Sequence, residues 1–380
     1  MDFNMHCNRR WLLRSAVLGT VGMPAVWAQS PKTGAVSESP TVVQIADMSA
    51  AHIDVSKDFL VGARAAWQEM SRKGGWRGKA VSLQVLEVDG SASSLRLALE
   101  NVRSQSQVIA LVGSVGDRVA SQVVQSLPAA VPGLAHIAPW LHSAGQAPAG
   151  TTFSIFATRY AQIAHALKSL ASVGVAEIGA VYASEPEYNL YRQEVESVAA
   201  ALGLRCKTLA GQADLQMRGQ TLSAESPRII VFMGGTPELL QFVQGVGKQP
   251  TQRYIVAMSD VNLQTLQQLG TPRNAAIIVT QVVPLVNSNL PVVRAYRETL
   301  ARLFDEPPTP HSLAGYVAAR YCAEVLNGHE GALTRASALQ AFQARGSVDL
   351  GGLSLDGRPG RSVNAFVAQS MLSADGRVVG

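Results

Sequence analysis

Charged residues are scarce in this chain of 380 residues: 16% are Asp, Glu, Lys or Arg, against 47% hydrophobic residues. This composition excludes an intrinsically disordered protein, which combines high charge with few hydrophobic residues. Lysine and arginine form no long run, so the sequence does not indicate nucleic-acid binding. The length suits two domains of ordinary size, each with its own core.

The sequence also lacks the motifs of common catalytic sites. It contains no Gly-x-Ser-x-Gly elbow and no phosphate-binding loop. Its histidines show no metal-ligand spacing such as His-x-x-x-His. The stretch Gly113 to Gly116 lacks the third glycine of a dinucleotide-binding turn. We therefore expect neither an enzyme nor a bound cofactor.

The N-terminus has the pattern of an export signal. Basic residues precede a short apolar run, and Ala25 to Ala28 provides the small residues of a cleavage site. We expect a signal peptide over residues 1–28, cleaved after Ala28. The run is too short to remain as a membrane anchor. The pair Arg9 and Arg10 leaves two routes open, an ordinary signal and a twin-arginine signal, and both lead out of the cytoplasm.

Apolar strand-like runs alternate with longer amphipathic stretches in the rest of the chain. This alternation predicts an α/β fold in which helices cover both faces of parallel sheets. Turn signals in the tail, Asp356-Gly357 and Asp375-Gly376, are typical of β-hairpins. We divide the chain into a flexible segment, two α/β units, a group of three helices and a tail: 29–40, 41–156, 157–282, 283–346 and 347–380.

Several stretches resemble the branched-chain amino acid-binding (leucine-binding protein-like) family of periplasmic proteins that serve ABC importers. They follow one another in register from Val42 to the C-terminus. No single motif is specific, and their order and spacing carry the resemblance. The stretches are Gly74 to Asp89, Ile109 to Gly116, Thr280 to Pro284, Leu290 to Tyr296 and Ser312 to Arg320.

The resemblance implies the type I periplasmic binding protein fold, with two doubly wound Rossmann-like lobes and a three-segment hinge. Segments 41–156 and 283–346 would form lobe 1, and segments 157–282 and 347–380 would form lobe 2. The implied crossings between the lobes lie near Ile155 to Thr158, Gln281 to Pro284, and Gly346 to Gly351.

Three cysteines are present in the whole chain. Cys7 leaves with the predicted signal peptide. Cys206 and Cys322 fall in different lobes of the implied fold, where a bond between them would resist hinge motion. We therefore expect two free thiols.

Candidate ligand-binding residues lie in loops after predicted strands, where open α/β sheets bind ligands. By resemblance and position they are Ser114, Asp117, Trp140, Leu141, His142, Ser143, Tyr188, Thr236 and Asp260. Ser114 and a helix start offer donors to a ligand carboxylate. The resemblance makes Asp260 the acceptor for a ligand ammonium and Tyr188 an aromatic wall.

Each of these roles has an alternative. Asp117 is favoured as a helix cap over a ligand contact, and Asp260 is equally suited to either. Tyr188 could be a surface aromatic. Trp140 and His142 could stack on a ligand or simply fill the cleft.

The chain departs from the family at several binding positions. Asp117-Arg118 stands where the family has a hydroxyl pair, and Asn189 and Ala314 replace a Gly and a Glu. We expect a monomeric periplasmic solute-binding protein that closes on a small polar or amino acid-like ligand and delivers it to an inner-membrane ABC permease. The alternative is a periplasmic sensor or interaction protein that keeps the fold with altered or lost amino acid binding.

Overall fold

The computed structural model describes residues 39–76, 78–140, 150–172, 174–209, 214–270, 272, 274–358, 366–373 and 375–380. Residues Glu38–Gly380 form one compact unit. No helix among the described residues has both the length and the apolar character needed to cross a bilayer. The predicted signal peptide and nearly all of the predicted flexible segment lie outside the described residues.

Lobe 1 is built on a five-stranded parallel sheet in the order β2-β1-β3-β4-β5. Its central strands are buried along their whole length, and their near-continuous apolar sequences are typical of a sheet covered on both faces. The strands are β1 (Thr41–Asp47), β2 (Ser82–Val88), β3 (Val108–Val112), β4 (Ala135–Ile137) and β5 (Thr152–Phe153). The intervening helices are α1 (Ile53–Arg72), α2 (Ala92–Ser104) and α3 (Asp117–Ala130).

Lobe 2 repeats this strand order in a second sheet, β14-β13-β10-β9-β8-β6-β7. Its parallel strands are β6 (Glu177–Tyr182), β7 (Arg205–Thr208), β8 (Ile229–Met233), β9 (Arg253–Ala257) and β10 (Ala275–Gln281). Its helices are α4 (Arg159–Ser172), α5 (Glu185–Ala201), α6 (Leu215–Gln220), α7 (Thr236–Val246) and α8 (Leu263–Leu269). Two hydrophobic clusters cover the two faces of this sheet.

The chain then returns to lobe 1 with α9 (Pro291–Leu303), α10 (Pro310–Asn327) and α11 (Arg335–Ala344). These three helices confirm the prediction for this part of the chain. A short antiparallel hairpin follows, β11 (Val348–Asp349) and β12 (Ser354–Leu355). The last hairpin, β13 (Ala368–Leu372) and β14 (Val378–Val379), adds antiparallel strands to the edge of the lobe 2 sheet at β10.

The hairpin of β11 and β12 corrects the predicted position of the third crossing. Val348 and Leu355 belong to the hydrophobic cluster of lobe 1, and the Gly357 N–H donates to the hydroxyl of Tyr321 on α10. The crossing therefore lies after Leu355 and not at residues 346–351. A short hairpin with apolar side chains at every other position could pack on either lobe. The sequence alone therefore did not show which lobe this hairpin joins.

Both remaining cysteines are free, as predicted. Cys322 lies buried in α10 of lobe 1, and Cys206 lies in β7 of lobe 2. Burial raises the pKa of Cys206 to about 11, so this thiol stays protonated and unreactive near neutral pH.

Two glycines allow α1 and α10 to pack backbone against backbone. A Cβ atom at Gly62 would lie 1.6 Å from the carbonyl oxygen of Ser312, and one at Gly315 would lie 1.9 Å from the carbonyl oxygen of Phe59. No side chain fits at either position unless the helices separate. This contact fixes the start of α10 against α1 in lobe 1.

We predict that Gly62→Ala lowers the free energy of unfolding by about 1–3 kcal/mol, although alanine normally stabilises a helix, because the added methyl group separates α1 from α10. Urea denaturation measures this change. Gly328→Ala at the end of α10 is the matched control, since its nearest neighbour, Arg345 Nη1, is 3.5 Å away. Equal stability of the two variants would contradict the close packing of these helices.

Candidate ligand-binding site between the lobes

The carboxyl ends of the two sheets face one another, and a single buried cation joins them. Arg159, the first residue of α4, is only 3% exposed. Its Nη2 donates to Asp117 Oδ2 over 3.1 Å and to Asp260 Oδ2 over 2.8 Å. Asp117 begins α3 in lobe 1, and Asp260 follows β9 in lobe 2. The guanidinium therefore bridges the lobes.

Tyr191 on α5 completes the surroundings of this cation. Its ring centre lies 4.2 Å from Arg159 Cζ, within the range of a cation–π contact. Its hydroxyl donates to Asp117 Oδ2. Burial raises the pKa of Tyr191, so the hydroxyl keeps its proton. Burial by itself would lower the pKa of Arg159, but Tyr191, Asp260 and Asp117 together raise it, and the guanidinium stays charged.

Trp140, in the loop after β4, fills the space beside the ion pair. Its Nε1 donates to Asp260 Oδ1 over 3.0 Å, and its side chain is 2% exposed. The indole packs against the rings of Phe59, Phe156 and His311 at centre distances of 6.0, 5.2 and 5.6 Å. Trp140 thus acts as both a core residue and a hydrogen-bond donor across the junction.

Ser114 and His136 form a second buried polar pair in lobe 1. Ser114 Oγ lies 2.6 Å from His136 Nε2, and both residues are fully buried. Burial lowers the pKa of His136 to about 3, so the ring is neutral. Its Nδ1 has no partner among the described residues, and an unpaired lone pair is better tolerated than an unpaired N–H. We assign the proton to Nε2, which leaves the hydroxyl proton of Ser114 for another acceptor.

Hydrogen bonds at the rim also connect the lobes. Thr236 Oγ1, at the start of α7, donates to Asp54 Oδ2 on α1 over 2.8 Å. Asn262 Nδ2 donates to Asp58 Oδ2 on α1 over 3.0 Å. The structure therefore shows the lobes in close contact.

Among the described residues, a cavity of about 20 Å³ lies beside Trp140. Its wall includes His311 of α10, whose Nε2–H donates to the carbonyl oxygen of Ser259 over 2.8 Å. A cavity of this size holds about one water molecule. A solute of amino acid size does not fit in this cavity.

The structure places Asp117, Trp140, Thr236 and Asp260 at the junction of the lobes. Ser114 lies buried in lobe 1, just after β3. Leu141, His142 and Ser143 lie outside the described residues. Tyr188 lies elsewhere: its ring packs on Tyr182, and its hydroxyl accepts a bond from Arg192 at the exposed side of α5.

The helix cap favoured for Asp117 is wrong, and of the two alternatives left open for Asp260 the cap is wrong. Gly116 is the N-cap residue of α3, and the carboxylate of Asp117 faces Arg159. Asn262 caps α8 through its side chain. The carboxylate of Asp260 is thereby left to Arg159 and Trp140.

Sequence reasoning missed Arg159, Tyr191 and His136. Arg159 directly follows the implied crossing at residues 155–158. A single charged residue beside this apolar segment could have identified it as a candidate. Tyr191 lies three residues after Tyr188 on one helix, so the helical period could have drawn attention to it.

Comparison with known proteins gives one family and many similar folds. The family model described as "Periplasmic binding protein" matches residues 40–372. A search of curated protein sequences gives no match.

Three solved structures illustrate the likeness in fold. An extracellular ligand-binding receptor from Verminephrobacter eiseniae has a TM-score of 0.80 at 17% identity, over 90% of this chain and 100% of that one. A substrate-binding periplasmic protein from Ralstonia solanacearum has a TM-score of 0.78 at 19% identity, over 89% and 99%. A branched-chain amino acid transporter substrate-binding protein from Streptococcus pneumoniae, in complex with isoleucine, has a TM-score of 0.73 at 17% identity, over 90% and 98%.

We predict that Tyr191→Phe lowers the free energy of unfolding by about 1.5–3 kcal/mol, because the buried carboxylate of Asp117 loses a hydrogen-bond donor. Tyr188→Phe, on the same helix, should change it by less than about 0.5 kcal/mol, since its hydroxyl is at the surface. Urea denaturation of both variants tests this difference, and similar losses in the two would show that Tyr191 is not a specific partner of Asp117.

We predict a pH dependence of stability from His136. The folded protein keeps this ring neutral down to a pKa of about 3, whereas the unfolded chain binds a proton below pH 6.5. Acidification therefore favours the unfolded chain, and stability should fall by about 2 kcal/mol between pH 7.5 and 5. In His136→Gln this fall should be about 2 kcal/mol smaller in urea denaturation. His165→Gln, which changes an exposed histidine of α4, should keep the wild-type dependence; a similar change in both variants would refute the assignment.

Proposed function

The chain belongs to the periplasmic binding protein family, and from this premise we propose that it is the solute-binding component of an ABC importer. The resemblance to the branched-chain amino acid-binding proteins is confirmed by the family match and by the structural neighbours. The family comprises solute-binding proteins and not enzymes. We further propose that residues 1–28 direct export and that the mature, monomeric chain works with an inner-membrane permease.

The buried polar junction between the lobes is the observation that carries this proposal. Arg159, Asp117 and Asp260 are charged yet only 3, 4 and 7% exposed, and Ser114 of lobe 1 is fully buried. An interface that never opens would gain more from apolar side chains, because buried polar groups must be satisfied by partners of good geometry. Water can satisfy these same groups when the lobes separate. The junction is therefore suited to reversible hinge closure.

Ser114 is the best candidate for direct contact with the solute. Its hydroxyl proton is free in the tautomer assigned to His136, and the residue lies just after the carboxyl end of β3, where α/β sheets bind ligands. Asp117, Trp140, Thr236 and Asp260 would line the opened cleft around it. We propose a small polar solute; the complex of the Streptococcus pneumoniae relative with isoleucine makes amino acid-like molecules the first class to test.

A second candidate function has support from one observation. Trp140 is buried at the junction, and the cavity beside it among the described residues has a volume of about 20 Å³. A chain whose cleft is occupied by its own side chains could act as a sensor or interaction protein that keeps the fold and has lost solute binding. This function predicts a purified protein that releases no solute on denaturation.

We predict that the protein purified from the periplasm of its host releases a small solute on denaturation, and mass spectrometry identifies it. Calorimetry with refolded protein then gives the affinity. Ser114→Ala should weaken binding at least tenfold, about 1.4 kcal/mol, through loss of one hydrogen bond. Ser197→Ala at the exposed side of α5 is the control and should bind normally. Absence of any released solute, together with no heat of binding, would favour the sensor.

A further inference from the structure

Arg159 lies between the lobes and connects them through its side chain. One Nη2 atom contacts Asp117 of lobe 1 and Asp260 of lobe 2 at 3.1 and 2.8 Å. The guanidinium is 3% exposed, so these contacts are shielded from water. The chain thus provides its own cation to a pair of carboxylates that come from opposite lobes.

Both oxygens of Asp260 already accept hydrogen bonds from this chain. Oδ2 accepts from Arg159 and Oδ1 accepts from Trp140 Nε1. A solute cation could reach this carboxylate only by displacing a buried partner. Displacement leaves a buried charge without its counter-charge, which is strongly unfavourable.

The position of Arg159 is fixed by its neighbours in lobe 2. The ring of Tyr191 lies 4.2 Å from its Cζ. Three residues further along α4, Gln162 donates to the carbonyl of Ala157 and accepts from Ser259 N and Thr280 Oγ1 at 3.1 and 2.8 Å. These bonds hold the start of α4 against the ends of β9 and β10. Arg159 therefore stays with Asp260 when lobe 1 moves.

We infer that Arg159 is a specificity-determining residue of the cleft: its guanidinium occupies the carboxylate pair Asp117 and Asp260 and excludes solutes that present an ammonium or guanidinium group there. The inference rests on the proposed function, because exclusion of a solute class has meaning only for a cleft that binds a solute. The substrate is then a solute without a cationic group at this point. An amino acid could bind only with its ammonium directed elsewhere.

Removal of Arg159 should turn the site into a receptor for a small cation. Arg159→Ala leaves a gap between two carboxylates that matches a free guanidinium ion. Methylguanidinium chloride is the probe, and the melting temperature is the readout. The variant should melt at a lower temperature than wild type. Added methylguanidinium should raise its melting temperature until the effect saturates, with a half-maximal concentration on the order of 1–10 mM. Methylammonium should restore less, because it lacks the planar donors of guanidinium.

The controls separate this site from general salt effects. Wild type should not respond to methylguanidinium beyond its response to sodium chloride at the same ionic strength. Arg192→Ala, on α5, removes an arginine whose Cζ lies 5.3 Å from the Tyr188 ring and which pairs with Glu196 at the surface. That variant should show no recovery. Recovery in Arg159→Ala alone supports the inference.

Two results would overturn it. Wild type could be stabilised by methylguanidinium as strongly as the variant, which would mean that the carboxylate pair is open to cations. Alternatively, Arg159→Ala could melt like wild type and ignore the probe. If Arg159→Ala does not fold, the double variant with Asp117→Asn removes one buried negative charge. In this double variant methylguanidinium is still expected to bind Asp260 and raise the melting temperature. No rise would count against the inference.

The outcome is distinguishable from that of the proposed function. The rise in melting temperature with methylguanidinium reports only whether the carboxylate pair is occupied. It can be measured without knowing the natural solute. Recovery in a protein that releases no solute would contradict the importer proposal alone. A released solute whose cationic group binds Asp260 would contradict the inference and leave the importer proposal standing.

Discussion

The pairing of one buried guanidinium with carboxylates from both lobes is the interaction on which the arrangement of this protein depends. A charge that is 3% exposed cannot remain unpaired, and the partners of Arg159 are Asp117 in lobe 1 and Asp260 in lobe 2. Asp260 pairs with it within lobe 2, and the approach of lobe 1 adds Asp117. When they separate, water enters and solvates all three groups. The energy difference between the two states is consequently much smaller than the Coulomb energy of the pairs alone.

The topology of the two sheets explains why these groups meet. In each lobe the first strand lies between the second and the third, so the loops after β1 and β3 diverge, as do those after β6 and β8. The resulting crevices face one another because the chain crosses between the lobes near the strand ends. Polar residues in these loops are thus brought together, although Asp117 and Asp260 are separated by more than a hundred positions in the sequence.

The sequence indicated which residues lie at the strand ends better than it indicated their partners. Position after a buried strand was enough to select Ser114, Trp140 and Asp260, because parallel strands end at one edge of the sheet. It was not enough to select partners. An aspartate near a helix start suits a cap or an ion pair equally well, and the structure gives the caps to Gly116 and Asn262. The pattern also could not favour Tyr191 over Tyr188, since that choice depends on how α5 is rotated against lobe 1.

Arg159 was missed because hydrophobic periodicity carries no information about a hinge. The resemblance implies a crossing at residues 155–158, and no pattern in the sequence distinguishes the arginine that follows it. Its importance comes from tertiary contacts alone: Tyr191 against its face, and carboxylates from two lobes at one nitrogen. Trp140 adds a constraint of another kind, since its indole packs on Phe59 and Phe156. A solute that enters beside Arg159 therefore meets an aromatic side chain as well as charged groups, so a successful ligand needs an apolar surface beside its polar groups.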